Sequence, residues 1–453
     1  MGIESNIQNP VGMEQWRQIA HAGDTMRVVL NGSGGVHGQD APQTAPDYAV
    51  QNQQAFDNLF SALHGAGHSD QAMGVLRDLL ERTRDSGLPL TGALVHQALH
   101  VANDFAPPDC VALCRKWDVI GQTDVLSPRT DLGYAFHDEL DIVMMNRLIA
   151  QFGADAQPGQ MRQGLEEMIS QLRDAQGIGP EIREKTDSVL RMRLEQVRFG
   201  ERAGQLAHTA LGKLDDAASD AYKLVMDGKH HAYGAAYFEN ERGYMAGMLS
   251  ALNLMLDEVT QPLTADSYLA LHDTAVAGVH KRDQMGTGSL FQQGYRDNEG
   301  VMFGLGLSNW SVEGRLEFEA SAKASDHHAW VKIMPHPEQL VDYVVAQAKP
   351  AQQCRDKAAA IIQTYHDELA LAQDEEGKLA CIAKCCQDLD QHHLFADGNI
   401  RTAAFLTLNK LLLQNDMSPA LFEDPNVLDM HSIKEIVDFI RAGQALYGAL
   451  LST

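Results

Sequence analysis

Apolar residues recur at spacings of three and four along most of this chain, and the elements they predict are helices. Ala235–Val259 reads as one long helix, with Leu263-Thr264 as the start signal for another running from Ala265 to about Val279. Ile182, Val189, Leu190 and Leu194 mark a helix within 181–197, and further helices are predicted at 337–347, 351–371 and 375–389. Leu379, Ile382, Ala383, Cys386 and Leu389 share one face of the helix that delivers the chain to His392-His393. Ala404, Phe405, Leu408, Leu411 and Leu412 give the next helix its buried face. Strand-like text interrupts this pattern at Val301-Met302-Phe303, at Leu316, Phe318 and Ala320 alternating with Glu317 and Glu319, and at Trp330–Ile333. The pattern predicts a mainly α protein with one small β excursion.

Glycine and proline divide the chain further. Residues 31–54 are rich in Gly, Gln, Pro and Asp without periodicity, so 1–54 reads as a flexible N-terminal segment. Residues 55–228 follow as a separate helical region, broken at Gly87-Leu88-Pro89, Pro107-Pro108, Pro158-Gly159 and Gly177–Pro180, with no motif that carries chemistry. Residues 229–453 form the second expected domain, and a chain of 453 residues is long enough for two or three domains. No apolar run approaches the roughly 20 residues that span a bilayer. Met1–Asn6 lacks a basic and apolar leader, and Asn6 stands where a myristoylation motif needs Ser or Thr. The expectation is a soluble, cytoplasmic protein.

Charge narrows the partners. With 36 basic and 61 acidic residues the net charge is −25, which opposes nonspecific binding to nucleic acid or an anionic membrane. Phosphate recognition must then come from a local site. The six cysteines read as reduced thiols, and Cys381, Cys385 and Cys386 as buried thiols rather than zinc ligands. The pairs His230-His231, His327-His328 and His392-His393 read as surface or turn histidines, because adjacent side chains rarely converge on one ion.

Candidate chemistry concentrates in His393-Leu394-Phe395-Ala396-Asp397-Gly398-Asn399-Ile400-Arg401-Thr402. The decapeptide joins the two amphipathic helices. A Gly398-Asn399 turn at the start of the second would present backbone N–H groups to phosphate oxygens. Arg401 can add charge-assisted contacts. Asp397 suits Mg²⁺, which takes one or two carboxylates plus substrate phosphates. Phe395 is placed as the core anchor of the loop. His393 can accept a proton from a hydroxyl that attacks phosphorus.

His393, Phe395, Asp397, Gly398, Asn399 and Arg401 together resemble the signature of the Fic (Fic/Doc) family, H-x-F-x-D/E-G-N-x-R. The resemblance extends from Lys229 to the C-terminus. It implies a Fic-type helical core with a small β-hairpin flap, and transfer of AMP from ATP to a Ser, Thr or Tyr hydroxyl of a protein. It implies His393 as catalytic base, Asp397 as Mg²⁺ ligand, and Gly398, Asn399 and Arg401 as the nucleotide phosphate site. Gly294-Tyr295-Arg296 looks like the start of the flap, and a protein substrate would dock on it, over about 295–333, by strand addition. Leu394 and Ile400 replace a frequent Pro and Gly. Ala404 stands where many members carry a second arginine that reads the γ-phosphate. Members lacking standard features transfer UMP or phosphocholine, or phosphorylate, so UTP and CDP-choline remain open as donors. Ala235–Asn240 resembles an inhibitory S/T-x-x-x-E-G/N helix, with Glu239 as the inhibitory glutamate and Ala235 lacking the hydroxyl. The alternative is a catalytically degenerate Fic-like binding or regulatory module. Export as an effector would also fit the long N-terminal region.

Overall fold

A computed structural model describes residues 109–120, 131–205, 220–235, 241–281, 289–306, 308–324, 327–334 and 342–451. The expected N-terminal segment 1–54, the part of the helical region before Asp109, and Glu239 lie outside them.

The chain divides into two compact units, Met1–Asp187 and Ser188–Thr453. In the first, α1 (Cys110–Ile120), α2 (Asp131–Phe152) and α3 (Pro158–Asp174) pack around Leu113, Trp117, Phe136, Leu140, Leu165 and Met168. The Trp117 indole N–H would be orphaned in that core. It donates to the buried Glu139 carboxylate at 2.7 Å, which satisfies both groups. The helix α4 (Pro180–Gln205) begins in this unit and ends in the next.

The second unit is mainly helical and carries a small sheet. Its helices are α5 (Tyr244–Asp257), α6 (Ala265–Val276), α7 (Val312–Ala324), α8 (Ala351–Leu369), α9 (Glu375–Gln391), α10 (Leu408–Gln414), α11 (Val427–Met430) and α12 (Ile433–Leu450). A seven-residue π-helical stretch, Arg401–Thr407, leads into α10. The unit is thus mainly helical with one small β element, as the sequence pattern predicts. The start signal at Thr264 acts where it is read, capping α6 in a reciprocal box with Ser267, and Ser432 caps α12 with Glu435 in the same way. The apolar faces of α9 and α10 are fully buried, with Leu379, Ile382, Cys386, Leu389, Leu408, Leu411 and Leu412 in the core.

Three expectations are corrected. The long helix at Ala235–Val259 is shorter: α5 starts only after Gly243, whose φ of 87° breaks the helical path. The alternation at 316–320 is helical, not extended. Residues Phe318 and Ala322 of α7, four apart, face inward, while Leu316 is 62% exposed. Finally, the region 337–347 ends in a strand, not a helix. Strand β3 (Asp342–Lys349) lies in the middle of the sheet order β1-β3-β2, with β1 at Glu299–Leu305 and β2 at Val331–Met334, all antiparallel. Val344 and Ala346 face the core while Tyr343 and Val345 face outward, so pairing on both edges outweighs the helical reading. The flap is therefore a three-stranded sheet rather than a hairpin. Helix α7 approaches α11 closely at Gly314, where a Cβ would sit 2.2 Å from the Met430 carbonyl oxygen.

Among the described residues no helix is long and apolar enough to cross a membrane.

Candidate active site

Helix α9 ends at Gln391 and the chain turns at once. His393 takes φ 43°, the left-handed region, at a cost of order 1–3 kcal/mol for a residue with a Cβ. Two bonds to one oxygen hold it there. The His393 backbone N–H donates to the Asp390 carbonyl at 2.9 Å, and its Nδ1 lies 2.6 Å from the same oxygen. A carbonyl only accepts, so Nδ1 carries the proton and Nε2 is left with its lone pair. The half-buried ring stacks on Phe303 of β1, centroids 4.1 Å apart and 11° from parallel. Burial pushes the imidazole down to about 4, against the Asp390 hydrogen bond and the Asp397 charge, which favour the imidazolium. At neutral pH the ring is therefore uncharged, with Nε2 as a free acceptor.

The loop that follows is built around Phe395. Its side chain is fully buried, stacked on His272 (centroids 3.7 Å) and Tyr295 (5.1 Å) and tilted against Tyr268 (5.0 Å). Tyr295 and Phe395 also pair backbone to backbone as an antiparallel bridge. The Asn399 amide closes the loop from inside, accepting from Phe395 N–H at 2.9 Å and donating to Phe395 C=O at 3.0 Å. Asn399 is only 2% exposed, so its side chain is spent on the loop and phosphate would meet the backbone of this turn. Gly398 turns the chain at φ 72°, and an added Cβ there would lie 3.1 Å from Val276 and 3.5 Å from the His272 ring. Its carbonyl accepts from both the N–H and the hydroxyl of Thr402.

His272 lies beneath the turn. Its Nε2 is 3.0 Å from the Asp397 carbonyl and its Nδ1 is 3.0 Å from the Asp273 carboxylate. The ring is thereby held between α6 and the turn. Asp273 Oδ1 accepts the Gly294 N–H as well, at 2.7 Å, which ties the start of the flap to α6.

Asp397 is exposed, and its Oδ1 accepts the Gly398 N–H at 2.8 Å. Among the described residues no group of three His, Cys, Asp or Glu could hold a metal ion by itself. Arg401 pairs with Glu241, and its guanidinium lies over the Tyr244 ring at 4.4 Å and the Phe291 ring at 5.7 Å. Ala404 is fully buried within the π-helical stretch and offers no charge. The structure thus brings His393, Phe395, Asp397, Gly398, Asn399 and Arg401 into one tight connection. The supporting residues His272, Phe303 and Arg296 escape the motif because they lie far away in sequence. Of the histidines expected at the surface or in turns, His392 lies in the turn after α9, and it and His327 are buried, 2% and 3% exposed, edge to face with ring centroids 4.6 Å apart.

A buried carboxyl pair sits below His393. Burial pushes Asp390 up to about 7, and burial plus the Asp390 charge pushes Asp429 well above the carboxylate range. Asn309 donates to Asp429 Oδ2 at 2.9 Å. Because the folded value of Asp390 lies above its unfolded value, the folded chain binds more protons between roughly pH 4 and 7. This stability contribution is lost as pH rises through that window, the reverse of an ion-paired aspartate. His393 acts oppositely, since its depressed value makes acidification below about 6.5 destabilising. Comparison with Asp390→Asn isolates the first effect. Melting temperatures at pH 5 and pH 8 should show the wild type losing stability on going to pH 8, and the variant losing less. An equal or larger loss in the variant would rule out the protonated pair.

No family model matches the chain. Over 81 residues it is 37% identical to the phosphocholine transferase AnkX of Legionella pneumophila subsp. pneumophila, a stretch that makes up 18% of this chain and 8% of that protein. The similarity is local, and the chain spans less than a tenth of that protein's length.

Proposed function

We propose that this chain transfers a phosphate-containing moiety from a nucleotide donor to a Ser, Thr or Tyr hydroxyl of a protein. The observation that carries the reading is the His393 tautomer. With Nδ1–H fixed on the Asp390 carbonyl, Nε2 is unprotonated and available as base. In the step, the target hydroxyl oxygen bonds to phosphorus and its proton passes to Nε2. The phosphorus–oxygen bond to the rest of the donor breaks, and that fragment leaves as the phosphate-bearing product. The turn at Gly398, at the start of a helical stretch, and the Arg401 guanidinium supply the local positive field that a chain of charge −25 otherwise lacks. Mg²⁺ fits as the companion of the donor phosphates: exposed Asp397 provides one carboxylate, and the ion would neutralise charge on the transferring group. The protein substrate would pair with the flap, now β1-β3-β2, in which β1 and β2 are the edge strands among the described residues.

AMP from ATP is the first reading of the donor. A second, phosphocholine from CDP-choline, is favoured by two observations: the local match is to a phosphocholine transferase, and buried Ala404 offers nothing to a third phosphate. The leaving group is pyrophosphate in the first case and CMP in the second. Labelled ATP, UTP, GTP, CTP and CDP-choline, each offered with Mg²⁺ and candidate lysates, separate the readings. Protein labelled by one donor, and abolished by His393→Ala, is the expected result. Label from none of the five would leave the degenerate binding module as the better account.

A further inference from the structure

Arg296 is fully buried, yet among its hydrogen-bond acceptors there is no carboxylate. Its guanidinium is spent on four backbone carbonyls. Nε donates to His393 O at 2.5 Å and Nη2 reaches His392 O at 3.5 Å. Nη1 donates to Glu299 O at 2.5 Å and to Gln347 O at 2.6 Å. The first two carbonyls belong to the turn that carries the base, and the other two to β1 and β3. The Arg296 backbone N–H donates to Leu394 O at 3.0 Å, so main chain and side chain grip the same turn.

A buried cation without a carboxylate is costly and persists where its geometry is needed. Here the need is visible. His393 sits in left-handed backbone at φ 43°, and its carbonyl must point away from the ordinary helical direction. The planar fork of Arg296 receives that displaced carbonyl and joins it to the sheet whose Phe303 stacks on the His393 ring. We infer that Arg296 is the positioning residue of the active site: it fixes the His393 turn against the flap sheet, so that the base and the strand that would present the target share one rigid frame.

This inference rests on the proposed transfer, but one of its measurements does not. Arg296→Lys keeps the charge without the fork, and Arg296→Met removes both. In the full chain, with fold monitored by near-ultraviolet circular dichroism, both variants should lower kcat of transfer about 100-fold while donor KM stays within about 3-fold, as expected for a misplaced base beside an intact phosphate turn. Lysine should give no rescue. Independently of any donor, the His393 ring protons, assigned with His393→Ala, should show the upfield shift of a ring stacked on Phe303 and should lose it in both variants. In Arg296→Met their pH midpoint should also move up from about 4, because the Arg296 charge opposes the imidazolium. An unchanged ring shift in a folded variant overturns the inference, as does kcat within about 3-fold of wild type. Loss of the fold in both variants overturns it too, since Arg296 would then be a folding residue. If no donor is used by the wild type, the transfer reading falls and the ring shift alone decides the role of Arg296.

Discussion

Replacing His393 by alanine should lower kcat of the transfer reaction by about 10²–10⁴-fold, the usual contribution of a positioned general base. Donor binding should change little, because the proposed phosphate turn at Gly398 and the Arg401 guanidinium are held by other contacts. The variant should stay folded: the ring is half-buried, and removing it relieves none of the contacts that hold Phe395. The pH dependence is equally specific. The ring works as a base only when neutral, and burial holds it near 4, so activity should persist into acid and fail as pH drops through that value. The acid limb of kcat/KM reports the free enzyme and should lie near that midpoint. The limb of kcat should lie higher, because bound phosphates favour the imidazolium. A kcat limb below the kcat/KM limb would argue against phosphate beside this histidine.

Phe395→Ala should have the largest effect on stability. The ring is fully buried and packs face to face with His272 and Tyr295, with Tyr268 tilted beside it. Truncation removes the stacking and leaves a cavity walled by a histidine that is anchored to Asp273 and Asp397 and cannot readily collapse into it. A loss of about 3–5 kcal/mol is expected by analogy with buried Phe→Ala changes. The functional cost should be larger than for an ordinary core site, since both Asn399 bonds end on the Phe395 backbone and His272 holds the Asp397 carbonyl. Urea unfolding of the purified chain measures the first effect. Protection of the Phe395 amide from hydrogen exchange, lost in the variant well below the unfolding midpoint, measures the second. A loss under about 1 kcal/mol would mean that the loop does not depend on this anchor.

The helices on either side of the site were legible because their apolar faces repeat cleanly, and the motif between them because its residues are contiguous. What was hidden is long-range. Nothing near Arg296 shows that its guanidinium reaches His393, 97 residues away, and nothing in α6 announces His272 behind Asp397. Alternation at 316–320 imitates a strand because Leu316 is an exposed apolar residue, while the true inward pair, Phe318 and Ala322, follows helical spacing. The sequence of β3 resembles a helix because its strand character depends on pairing with β1 and β2 on either side. The Asn399 amide also holds the loop closed, a role that depends on a backbone partner four residues away.

The most direct test of the transfer chemistry is the covalent product. Target protein labelled by the wild-type chain, fragmented and analysed by mass spectrometry, should carry the donor-derived mass on a Ser, Thr or Tyr side chain as a phosphoester, and none should form with His393→Ala. The same adduct formed at an undiminished rate by His393→Ala, or a mass found on lysine or cysteine, would contradict the account.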